Sequence, residues 1–282
     1  MNSLKDVFIL NNGVEIPCIG YGTWRSPNDD TTIQAVKHAI LSGYRHIDTA
    51  AVYKNEEAVG QGIRESGIPR DELFITTKVW NDDRGYEATK EAFEVSLKKL
   101  GLSYVDLYLI HWPNPMKFRG NWEAMNAETY RAMEDLVKEG KIKAIGVSNF
   151  MIHHLEALLK SATIVPAVNQ IKLCPGILQE EIVAYCKDKD IVIEAYSPLG
   201  TGKAFNSTEL LALADKYEKS VAQICIRYCL QKGYLPLPKS MTFNRIEENA
   251  EVFDFEISEE DLRLLDCLEG MGEAPNPDTK EF

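Results

Sequence analysis

Eight short runs of branched and aromatic residues, each followed by a longer stretch of helical period, recur along this chain. Such alternation marks repeated βα units around a parallel sheet, because parallel neighbours need a crossover long enough to hold a helix. The runs are Ile19–Gly22, His46–Thr49, Leu73–Val79, Val105–His111, Ile142–Ser148, Val165–Ile171, Ile191–Tyr196 and Leu235–Pro238. No linker or low-complexity segment interrupts them. The fold class predicted is therefore α/β, a (β/α)8 TIM barrel, with residues 1–282 forming one domain. An open doubly wound sheet is disfavoured, since no G-x-G-x-x-G follows the first run. Ahead of the barrel, "VFILNNGVEIP" carries Asn12-Gly13 between two apolar arms and predicts an N-terminal β-hairpin that caps the barrel floor.

Between the runs, Phe93, Leu97 and Leu100 repeat at helical spacing, as do Ile246, Ala250 and Phe253. Ser220 with Gln223 and Asn244 with Glu247 have capping-box spacing, and each pair predicts a helix start. The 282 residues are 45% hydrophobic and 26% charged, the balance of a chain with a sizeable core, and the net charge of -12 opposes nucleic acid or an anionic membrane as partner. Six cysteines form no C-x-x-C pair, and no histidine stands near Cys225 and Cys229, so packed thiols and no metal site are expected. Lys5 and Asp6 interrupt the apolar character of "MNSLKDVFIL", and no run approaches the roughly 20 apolar residues of a membrane span. A soluble, cytoplasmic protein is the expectation.

Residues at the carboxyl ends of barrel strands line the face where barrel enzymes work. Asp48 ends the second run, Tyr53 follows it, Lys78 ends the third and His111 the fourth. Taken singly, each has an ordinary explanation: a helix cap, a packing ring, a solvated charge. Together, a carboxylate, a phenol, an ammonium and an imidazole on successive strands form a proton-transfer set. Asp48 would hold Lys78 charged and aimed, and Lys78 would lower the Tyr53 phenol pKa from about 10 toward the working pH. A Schiff-base aldolase built on Lys78 is a rival reading, weakened because a neighbouring carboxylate raises a lysine's pKa.

"GYRHIDTAAVYKNEEAVG" with Lys78 and His111 resembles the aldo-keto reductases, and "VDLYLIHWP", "IGVSNF" and "EAYSPLG" match that family in register over nearly the whole chain. The resemblance implies an NADPH-dependent aldehyde and ketone reductase with Asp48, Tyr53, Lys78 and His111 as catalytic residues, Tyr53 being the general acid. It places Ser148, Asn149 and Gln170 at the nicotinamide carboxamide, Tyr196 against the ring, and Ser197 and Leu199 at the pyrophosphate. Lys239, Ser240, Thr242 and Arg245 would hold the 2′-phosphate, with Glu248 and Asn249 at the adenine. That assignment agrees with the habit of barrels to bind phosphate at a helix start after the eighth strand. Trp24, Trp80 and Trp112 match the pocket walls, with Trp122 a further candidate for the rim. A small-molecule carbonyl substrate and a monomeric protein are implied, and a redox-sensing NADPH-binding module with slow turnover is the alternative. Two departures stand out: "CPG" at Cys174–Gly176 replaces the family's usual His-Pro-Tyr, and the short tail after Leu268 predicts a more open pocket.

Overall fold

A computed structural model describes residues 1–282. The hairpin forms as expected, from β1 (Val7–Ile9) and β2 (Glu15–Pro17), with Val7 opposite Pro17 and Ile9 opposite Glu15. Gly13 takes φ 83°, a conformation open to glycine at no steric cost. Asn11 and Asn12 donate their side-chain amides to the carbonyls of Pro166 and Lys143, both at 3.0 Å, and so fasten the turn to the barrel. Leu10 and Ile16 enter a cluster of ten buried residues that includes Phe74, Leu107, Leu109, Ala144, Leu235 and Leu237 and extends from this end up through the barrel interior. Removal of that apolar surface from water seals the floor.

The barrel comprises β3 (Gly20–Gly22), β4 (His46–Asp48), β5 (Phe74–Val79), β6 (Val105–Ile110), β7 (Ile142–Ser148), β8 (Val168–Lys172), β9 (Val192–Tyr196) and β10 (Leu235–Leu237), all parallel and in sequential order. It closes where Gly22 N–H donates to the Pro238 carbonyl at 2.9 Å. At Gly20 a Cβ would lie 2.5 Å from Leu237 Cδ2 and 2.6 Å from His46 Nδ1, so a side chain there would collide with the barrel interior. Val165, the first residue of the sixth run, is exposed, and β8 begins three residues later than the sequence suggests. Pro166 between them has no N–H to contribute to a ladder.

Ten helices surround the sheet: α1 (Asp30–Leu41), α2 (Glu56–Glu65), α3 (Tyr86–Leu100), α4 (Trp122–Lys138), α5 (Ile152–Leu159), α6 (Glu180–Asp188), α7 (Thr208–Tyr217), α8 (Val221–Gln231), α9 (Phe243–Glu248) and α10 (Glu259–Asp266). A cluster of 57 buried residues lies chiefly between them and the strands, with Phe93, Leu97 and Leu100 of α3 in it. None is long and apolar enough to cross a membrane. Ser220 and Gln223 exchange the two capping hydrogen bonds, at 3.2 and 2.9 Å.

The Asn244–Glu247 box does not form. α9 begins at Phe243, so Asn244 lies inside it and is exposed, while Glu247 turns to His38 Nε2 at 2.8 Å. The Phe243 ring stacks on the same histidine, and these contacts with α1 override the local spacing. Nor does the helical period run through Ala250 and Phe253, because α9 ends at Glu248 and only Ile246 of the three is fully buried.

Candidate active site

At the open end of the barrel, β4 and β5 bring Asp48 and Lys78 together. Lys78 Nζ lies 2.7 and 2.8 Å from the two Asp48 oxygens and 2.9 Å from the Thr49 carbonyl, which uses all three ammonium hydrogens. The lysine is fully buried; burial disfavours its charge, but Asp48, Tyr53 and Glu194 together outweigh that, and its pKa ends above the ordinary value. A buried, fully bonded ammonium is a poor amine nucleophile, which disfavours the aldolase reading.

Tyr53 sits on a single 3-10 turn, Ala51–Tyr53, directly after β4. Lys78 Nζ is 5.1 Å from its ring centre, and its ring meets that of His111 edge-on at 5.7 Å. Four residues from three strands therefore converge as their positions predict. One expectation is corrected: burial raises the Tyr53 pKa, Lys78 pulls it down, Asp48 adds to the rise, and the result is upward. The phenol thus keeps its proton at neutral pH, the form an acid needs. His111 is held well below the ordinary histidine range by burial first and then by the charges of Lys78 and Arg84, so its ring is neutral, and its Nδ1 has no partner.

The predicted nicotinamide set also assembles. Ser148 Oγ donates to the Gln170 carbonyl at 2.8 Å, the Asn149 amide donates to the His111 carbonyl at 3.0 Å, and Tyr196 OH donates to Asn149 Oδ1 at 2.8 Å. Asn149 and Ser197 both take left-handed backbone, φ 62° and 53°, at the ends of their strands. Ser197 and Leu199 lead into a 3-10 segment, Gly200–Asn206, only seven residues long.

After β10, Lys239, Thr242 and Arg245 are exposed, Ser240 and Glu248 half-buried and Asn249 buried. Tyr21 OH donates to the Ser240 carbonyl and Ser240 Oγ accepts from Thr242 N–H at 3.1 Å, which shapes this loop. Burial, and then the charge of Arg25, depress the Lys239 pKa, so Arg25 joins the cationic loop from the end of β3. Sequence reading passed over it, although it stands beside the singled-out Trp24.

The tryptophans divide. Trp80 and Trp112 come together at the mouth, and the Phe282 ring packs against both at 5.7 and 4.7 Å. Trp24 is 44% exposed and carries the Arg25 guanidinium 4.3 Å above its ring. Trp122 packs on His154 at 4.8 Å, next to the tail contact of Asp278.

The short tail runs back to the mouth. Asp278 accepts from Asn114 Nδ2 at 2.8 Å and pairs with His154 Nε2 at 2.9 Å, Arg119 donates to the Lys280 carbonyl at 2.7 Å, and Phe282 is delivered to the tryptophans. His154 Nδ1 accepts from Met151 N–H, so its proton lies on Nε2 and points at Asp278; the His153–His154–Asp278 group is a tail clasp rather than a vacant ligand set. The "CPG" departure has its reason here as well. A Cβ on Gly176 would lie 2.1 Å from the Leu268 carbonyl, so glycine lets the tail cross.

Glu194, unremarked within "EAYSPLG", is fully buried beneath the site. Gln170 Nε2 spans from Asp48 Oδ2 at 2.9 Å to Glu194 Oε2 at 2.8 Å. Burial first, and Asp48 second, push the Glu194 carboxyl up to about 8. Its inward direction follows from β-alternation, but nothing nearby in sequence shows what it meets.

Comparison with known proteins agrees with this geometry. A model described as the Aldo/keto reductase family matches residues 18–269. A glyoxal reductase of Bacillus subtilis (strain 168) is 52% identical over 99% of both chains. Among solved structures, an aldo-keto reductase of Bombyx mori in complex with NADP is 39% identical, covers 94% of this chain and 92% of its own, and superposes with a TM-score of 0.84. A mutant of Gox0644 in complex with NADPH is 37% identical over 99% of both chains, with a TM-score of 0.90.

Proposed function

Since this chain belongs to the aldo/keto reductase family, we propose that it reduces aldehydes and ketones to alcohols with NADPH, using Tyr53 as the proton donor. The observation that carries this reading is the mutual placement of Tyr53, His111 and the Lys78–Asp48 pair at the mouth of a barrel whose floor is sealed.

The residues fit the cofactor. Gln170 Oε1 accepts no hydrogen bond within the protein and is not among the buried atoms left unpartnered, so it faces the cavity beside Asn149 and Tyr196. Lys239, Arg245 and Arg25 supply cations for a phosphate dianion near the start of α9. When bound, NADPH supplies hydride to the carbonyl carbon. The protein does the rest: neutral His111 donates to and orients the carbonyl oxygen, and Tyr53 gives its proton to the alkoxide as charge develops there. Lys78 then stabilises the phenolate left behind, and Asp48 keeps Lys78 charged and fixed. Because the Tyr53 pKa lies above its ordinary value, the lysine charge acts mainly on the deprotonated state, after transfer.

Trp80, Trp112 and Phe282 narrow the entrance with aromatic surface, and the glyoxal reductase relative supports small aldehydes and dicarbonyls as the substrate class. Loss of nicotinamide absorbance, followed with NADPH and separately NADH against a panel of such carbonyls, tests the reading. Tyr53→Phe should bind NADPH as the parent does yet lower kcat by about a hundred- to ten-thousandfold. Parental turnover in that variant would remove Tyr53 as the acid, and tight NADPH binding without turnover in the parent would favour a redox-sensing module.

A further inference from the structure

Directly below Asp48 lies a second polar layer that the proposed proton transfer does not use. Glu194 from β9, His46 from β4 and Thr76 from β5 are all fully buried, and Gln170 links them upward to the ion pair. His46 Nε2 is 2.9 Å from Thr76 Oγ1 and 3.8 Å from Glu194 Oε1, while His46 Nδ1 and Glu194 Oε1 themselves have no hydrogen-bond partner. A barrel interior gains stability from leucine or valine at such positions, and an acid there is costly.

The chemistry of Gln170 shows what the acid does. Its amide nitrogen donates to two carboxyl groups, Asp48 and Glu194: salt-bridged Asp48 only accepts, and Glu194 keeps an acceptor oxygen toward the amide in either protonation state. Both N–H bonds must therefore point down into the barrel, which turns the carbonyl oxygen up toward the cavity. That oxygen can accept from the N–H2 of a carboxamide. Were Glu194 apolar, one N–H would lack its partner and the amide could rotate.

We propose that Glu194 is a positioning residue for the cofactor, holding the Gln170 carbonyl toward the nicotinamide and coupling a buried carboxyl to whether that ring is oxidised or reduced. The inference rests on the cofactor placement given above. The oxidised ring bears a positive charge and the reduced ring does not. A negative charge on Glu194, in an interior of low effective dielectric, therefore favours the oxidised form. The groups facing Glu194 are Asp48 and His46 from β4, Thr76 and Lys78 from β5 and Gln170 from β8, with Leu235 beside it on β10 and glycine at position 20 on β3. His46, held down near 3 by burial and then Lys78, stays neutral from pH 6 to 9, and Lys78 stays charged. Glu194, raised to about 8, is the member of this layer that changes charge in that window. Oxidised cofactor should accordingly release a proton from Glu194 on binding, and reduced cofactor should not.

The test is the ratio of Kd for NADP+ to Kd for NADPH, measured by fluorescence titration from about pH 6 to about pH 9. The 2′-phosphate titrates equally in both forms, so its contribution cancels in the ratio. In the parent protein the ratio should fall about five- to tenfold as pH rises across that range. Glu194→Gln keeps an acceptor for Gln170, so it should hold NADPH affinity within about twofold while making the ratio flat. Glu194→Leu should weaken both cofactors. Gln170→Leu should weaken both at every pH; if it weakens neither, the cofactor does not lie at Gln170 and the placement has failed, independently of Glu194. A parental pH trend that persists unchanged in Glu194→Gln, with Gln170→Leu behaving as expected, would overturn the proposal. The carbon-13 resonance of the Glu194 carboxyl in the cofactor-free protein gives a second measure: a midpoint in the ordinary carboxyl range would also overturn it.

Discussion

The two ends of the barrel interior solve opposite problems with the same strands. At the floor, Leu107 of β6, Phe74 of β5 and Val168 of β8 meet Leu10 and Ile16 of the hairpin in a purely apolar plug. A few residues further along, β4, β5, β8 and β9 carry Asp48, Lys78, Gln170 and Glu194, desolvated and joined by hydrogen bonds. The floor gains free energy from every side chain and asks little of direction. The mouth gives up stability for direction, and the unpartnered nitrogens of His46 and His111 record part of that cost. A strand can serve both because its first inward residues face the plug and its last face the site.

That contrast can be broken most forcefully at the ion pair. Lys78→Met leaves Asp48 buried without its charge partner and should destabilise the fold by about 3–5 kcal/mol while abolishing turnover. Adding Asp48→Asn should recover much of the stability in urea melts and none of the activity; if stability stays low, the pair is not what balances this end. At the floor, Leu107→Ala should cost about 2–5 kcal/mol, with kcat per folded molecule unchanged. A large fall in its kcat would show that the two ends are mechanically coupled.

The pH dependence sharpens the comparison within the polar end. His46 has a folded pKa near 3, below its unfolded value of about 6.5, so its contribution is complete above about 6.5 and is lost as pH falls toward 3. Glu194 has the opposite sign: raised to about 8, it contributes fully below the unfolded pKa of about 4.3 and loses this as pH rises toward 8. The stability difference between parent and His46→Gln should shrink from pH 7 to pH 5, and that between parent and Glu194→Gln should shrink from pH 5 to pH 8. Each slope is at most about 1.4 kcal/mol per pH unit. Urea midpoints at these pH values, moving in the same direction for both variants, would contradict the opposed burial of the two groups.

Much of this was legible in the chain itself. The strands announce themselves because each buried run is bounded by turn chemistry, and Asp48, Tyr53, Lys78 and His111 are exposed to inference because each ends or follows one. What escaped depends on distance or burial. Glu194 gains its meaning only from Gln170 and His46, which other strands bring to it. The Tyr53 pKa was read from its charged neighbour, whereas burial decides its direction. Asn244 was misread because its spacing to Glu247 is locally sufficient, and only His38 across the helix interface shows why α9 starts earlier. The tail looked short because length alone says nothing of its route over Gly176 to Trp80 and Trp112.

That route matters to anyone who handles the protein. A purification handle or surface linker fused after Phe282 emerges beside Trp80 and Trp112, with the Phe282 carbonyl already engaged by Met116 N–H. The same handle placed before Met1, whose carbonyl Arg227 of α8 holds on the outside of the barrel, leaves those rings clear. Kinetic constants from the two fusions should therefore not be pooled, since only one of them leaves the surroundings of Phe282 unaltered.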